Sequence, residues 1–106
     1  MSYFNAAVQG LNVATGFLKQ TKRLFRDADA TWIVLTNWGY ELQILGELVS
    51  MSSSLEEAIE ELETTLLRGH AMGFPAEVPM MEVQEGVWGV DMAELARRAR
   101  RALESL

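Results

Sequence analysis

Thr31-Trp-Ile-Val-Leu-Thr-Asn-Trp-Gly-Tyr40-Glu-Leu-Gln-Ile-Leu-Gly-Glu-Leu-Val-Ser-Met51 is the stretch on which the fold turns. Leu35, Trp38, Leu42, Leu45 and Val49 recur at steps of three and four, the spacing of one helix face. Ile44 and Leu48 widen that stripe, while Ile33 and Val34 add apolar bulk elsewhere, so the spacing predicts a helix from Trp32 to about Met51 buried on more than one side. The competing signal is local. The β-branched run Thr31 to Thr36, ahead of a possible turn at Asn37-Trp-Gly39, also suits a short strand. The uninterrupted spacing through Trp38 decides for helix.

Outward from this stretch the same pattern continues. Phe4, Val8, Leu11, Thr15, Leu18 and Phe25 predict a first helix from near Ser2 to Arg26. Lys19, Lys22, Arg23 and Arg26 near its end complement the negative end of the helix dipole. Asp27 to Thr31 reads as a turn capping the second helix. After the connector Met51 to Ser54, five glutamates (Glu56, Glu57, Glu60, Glu61 and Glu63) share a helix with Leu55, Ala58, Ile59, Leu62 and Leu66. Ser54 with Glu57 is a capping box that starts it, and Gly69 stops it after Arg68. Residues 69–90 hold both prolines and form the irregular part. Within it, Val78 to Val83 and Gly86 to Val90 can form a short β-hairpin, with Pro79 confining the first arm to an edge. Asp91 and Glu94 cap a final helix carrying Met92, Leu95, Ala96, Ala99, Leu103 and Leu106, with Arg97, Arg98, Arg100 and Arg101 around them. The expectation is an all-α fold: one domain over residues 1–106, a small helical bundle of about four helices, with room for a short β-hairpin near residues 78–90.

Composition narrows the function classes. At 106 residues the chain can bury one modest core, and 49% hydrophobic against 23% charged residues argues against wholesale disorder. Cysteine is absent, which excludes disulfides, thiolate metal sites and a Cys nucleophile. Met1 to Thr15 holds no basic residue and no long apolar run, and Trp32 to Leu35 is too short to cross a bilayer. A soluble cytoplasmic protein with no membrane partner is expected. The net charge of −6 disfavours direct nucleic-acid binding. That charge is segregated: residues 52–96 hold ten acidic groups against Arg68 alone, and residues 97–106 hold four arginines against Glu104.

No catalytic or cofactor motif stands out. A carboxylate-bridged di-iron bundle needs Glu-x-x-His pairs, and no glutamate stands three residues before the sole histidine, His70. His70 with Met72, Met80 and Met81 resembles a soft metal set only in composition, and methionine at this density serves packing more often. Phosphate-binding loops are missing. The expectation is no enzyme, no cofactor and no metal.

What remains is interaction. The glutamates Glu56, Glu57, Glu60, Glu61 and Glu63 form a negative face that a protein partner can read, although a merely solvated face explains them as well. Phe74, Met80, Met81 and Trp88, in the Gly/Pro-rich segment, supply apolar contact residues. The sequence thus predicts a small acidic protein–protein interaction module that inhibits or escorts its partner, a nucleic-acid-binding protein being one candidate. Phage and bacterial proteins of this size and charge act as anti-CRISPR or other anti-defence inhibitors, antitoxin or immunity proteins and chaperones, a likeness of class alone. The alternative is a self-associating structural subunit, a homodimer in its simplest form.

Overall fold

A computed structural model describes residues 19–68 and 77–104. The order of elements is a helix over residues 19–29 (α1), strands Thr31–Thr36 (β1), Gly39–Ile44 (β2) and Glu47–Ser52 (β3), helix Leu55–Leu66 (α2), strands Met80–Gln84 (β4) and Val87–Val90 (β5), and helix Met92–Glu104 (α3). The strands form one antiparallel sheet in the order β3-β2-β1-β5-β4. The fold is therefore mixed α/β, and the all-α helical bundle expected from spacing is wrong.

The error lies in the deciding stretch. Residues 31–52 are three strands joined by two tight turns, with no helix. The apparent stripe does not survive as a face. Leu42 is fully buried, Leu35 is half exposed, Trp38 and Leu45 sit in turns, and Val49 is displaced by a bulge. The first turn is braced by Thr36, whose hydroxyl donates to the Gly39 carbonyl at 3.0 Å and accepts from the Trp38 N–H at 3.1 Å. The second is made by Leu45 and Gly46, both at positive φ (54° and 80°), the left-handed pair that a two-residue hairpin requires. Asparagine or aspartate usually fills the first of these positions, so a leucine there hides the turn.

Residues 27–31 are the last turn of α1 and the entry to β1. The Ala30 N–H and the Thr31 hydroxyl both bond to the Asp27 carbonyl, at 3.2 and 2.6 Å. Helix α1 runs to residue 29, three residues past the expected end. The expected start of the first helix and its residues up to Leu18 lie outside the described residues.

The capping signals hold. The Glu57 N–H donates to Ser54 Oγ at 3.2 Å, and the Glu57 carboxylate accepts from the Ser53 N–H and hydroxyl. Asp91 accepts the Glu94 N–H at 3.1 Å to start α3. The hairpin near residues 78–90 is present as β4 and β5, and β5 joins it to the sheet beside β1.

All three helices feed one core with a single face of the sheet. Leu24 and Ala28 come from α1, Ala58, Leu62 and Leu66 from α2, and Leu95 from α3. The sheet contributes Ile33, Leu42, Ile44 and Val90. Helix α2 lies over β2 and β3. Glu63 ties it to the segment before β4 by accepting the Val78 N–H at 2.8 Å. Each buried Leu or Ile contributes about 1.5–3 kcal/mol relative to exposure. Among the described residues no helix is long and apolar enough to cross a membrane.

Candidate functional site

Side chains alternate across a strand, and residues opposite one another in an antiparallel pair share a face. The register therefore sorts the sheet. On the helix side stand Thr31 with Ile44, Ile33 with Leu42 and Trp88, and Met80 with Val90. On the other side stand Trp32 with Gln43 and Gly89, Val34 with Glu41 and Val87, Leu48 with Gln43, Met51 with Glu41, and Met81 with Gly89. None of the three helices supplies its core residues to this second side. It is nonetheless apolar. Trp32, Leu48, Met51, Met81 and Val83 are between 40% and 58% exposed, a cluster of large hydrophobics that a polar outer face would not carry.

The face has relief. Trp32 lies over Gly89, where an added Cβ would come within 2.9 Å of the Trp32 ring and 3.6 Å of a Val83 methyl. Glycine at that point lets the indole lie against the backbone of β5. Beside it, Trp32, Val34, Gln43, Val83, Gln84 and Val87 line an open groove of about 380 Å³. Both edge strands are bulged, at Val49 in β3 and at Val83 in β4. Such bulges discourage edge-to-edge strand pairing and leave the face as the more available surface.

The residues singled out from sequence are distributed over three places. Glu56, Glu57, Glu60 and Glu61 are exposed along α2, while Glu63 is half-buried and engaged with Val78. Met80 and Trp88 face the helices and are partly buried against the core, Trp88 with its ring 5.7 Å from that of Tyr40. Met81 does stand on the open face, 47% exposed. Phe74 lies outside the described residues. Trp32, Val34, Leu48, Met51, Val83 and Val87 complete the face; the sequence marks none of them, since the first four read as helix and Val83 and Val87 as hairpin arms with no contact role.

Charge is organised against the same division. Every lysine and arginine of the chain lies on α1, at Arg68 just beyond α2, or on α3, and none is in a strand or hairpin turn. Several are engaged on the helix side. Arg97 and Arg98 both bind Glu94, and the Arg97 hydrogen bond, seconded by Arg98, holds that carboxyl below its ordinary value. Arg98 also donates to the Glu77 carbonyl, and Arg23 to the Arg68 carbonyl. Among the described residues no group of three His, Asp or Glu side chains is placed to hold a metal ion. The chemistry this arrangement offers is burial of an apolar surface. Compared with protein-family models, with curated proteins and with solved structures, the chain matches none.

Proposed function

We propose that this chain is a small acidic protein-interaction module that covers an apolar segment of a partner protein with the open face of its sheet, as an escort or an inhibitor does. The observation that supports it most is the run of large apolar side chains opposite the helices, from Leu48 and Met51 across Trp32 and Val34 to Met81, Val83 and Val87. Exposed apolar area of this extent is unfavourable in isolation, and removing it from water is worth about 25 cal/mol per Å² before the cost of association. The exposed glutamates of α2 act at longer range, speeding encounter with a basic partner without forming the contact.

The test compares capture of partners by wild type, by the Leu48→Lys/Val83→Lys double variant, and by the Glu57→Lys/Glu60→Lys/Glu61→Lys triple variant. The reading expects the double variant to lose the captured protein. The triple variant should keep it, with slower association and a weaker salt dependence. Capture that survives the double variant would remove the face from the account. A sedimenting mass of two chains, abolished by the double variant, would make the face a self-association surface instead.

A further inference from the structure

Among the described residues, the strands place one charged side chain on the open face. Glu41 sits mid-strand in β2, paired with Val34 on one side and Met51 on the other, and it is half-buried. None of the ion pairs among the described residues reaches it. The strands offer it no lysine or arginine, since all the cations are on or next to helices.

Building on the reading above, we infer that the occupant of this face is a protein segment of apolar residues set around one lysine or arginine, whose cation meets Glu41. Whatever covers the face takes Glu41 further out of water, and a carboxylate buried without a partner is strongly unfavourable. A wholly apolar segment leaves that charge unpaired, and an acidic one adds repulsion. A second copy packed face to face brings a second Glu41 and no strand cation. A segment carrying a lysine or arginine supplies the missing charge, and arginine can bind the carboxylate with two parallel hydrogen bonds. The pair also fixes the register of the segment over the groove, where Gln43 and Gln84 provide amides for its polar groups. Apolar contact would give this site its area and Glu41 its selectivity.

The experiment selects a phage-displayed random dodecapeptide library on immobilised wild-type protein. Enriched peptides are then measured on wild type, Glu41→Gln, Glu41→Lys and the Leu48→Lys/Val83→Lys variant, after circular dichroism shows that all are folded. The expected peptides place a lysine or arginine among apolar residues and bind Glu41→Gln about tenfold or more weakly. A peptide with that cation changed to glutamate should prefer Glu41→Lys over wild type. Peptides without a cation, or binding wild type and Glu41→Gln alike, overturn the inference while leaving the face as the site if the Leu48→Lys/Val83→Lys variant still abolishes binding. Binding that survives that double variant overturns the underlying reading as well. An empty selection, or one defeated by dimerisation of wild type, overturns the inference.

Discussion

The two faces of the sheet are built from the same kinds of residue and differ in what lies over them. Ile33, Leu42 and Ile44 are buried beneath three helices, whereas Trp32, Val34 and Leu48 stand on the opposite side, away from the core that the described helices share. In an ordinary half-exposed sheet the outer positions turn polar, and the alternation announces the strand. Here β1 carries apolar residues on both faces, Ile33 on one and Trp32 and Val34 on the other. A strand with apolar residues on both faces resembles in sequence one that is buried on both sides.

Substitutions can break that comparison. Ile33→Ala, on the covered face and fully buried, should destabilise by about 2–5 kcal/mol, read from the denaturant midpoint. Gly89→Ala places a methyl 2.9 Å from the Trp32 ring; the indole should swing outward at about 1 kcal/mol, with a shift in tryptophan fluorescence. Leu48→Lys with Val83→Lys, on the open face, should change stability by less than about 1 kcal/mol while lowering binding of a hydrophobic dye. A loss comparable to that of Ile33→Ala would mean the open face is not open.

Two smaller effects sharpen the picture. Leu45→Asn suits the left-handed position at φ 54° and should raise stability by about 0.5 kcal/mol, by urea titration. Glu94, on the helix side, has its folded pKa held below the ordinary 4.5 by Arg97 and Arg98. Its contribution is therefore present above that value and fades as pH falls through the lowered folded one. The stability gap between wild type and Glu94→Gln should be flat above about pH 5 and narrow under stronger acid; a gap that widens on acidification would contradict the assignment.

How much of this was legible in the chain depended on where the signals are local. Ser54 with Glu57, and Asp91 with Glu94, cap helices by contacts within one turn, and those helix starts follow directly. The β4–β5 hairpin was legible as a hairpin but shifted: Gly86, expected in the second arm, sits in the turn at φ 76°. The β1–β3 meander was illegible for two physical reasons. Apolar residues on both faces of β1 erase the two-residue period there, and although Tyr40-Glu41-Leu42-Gln43-Ile44 keeps it in β2, Leu35, Trp38, Leu42, Leu45 and Val49 mimic a helix stripe by coincidence across the three strands. Leu45 occupies a turn position where sequence leads one to look for asparagine. The candidate site suffered with it. Met81 was marked because it sits in a Gly/Pro-rich region, while Trp32, Val34, Leu48 and Met51 were assigned to a helix that does not exist.

The most direct test places a photo-crosslinking amino acid at Leu48, at Val83 or at Glu60 in the producing cells and maps the adducts by mass spectrometry. All three positions are exposed, the first two on the open sheet face and the third on acidic α2. The account predicts adducts to one partner protein from Leu48 and Val83 and none, or far fewer, from Glu60. Adducts from Glu60 alone would contradict it and return the binding surface to the helix.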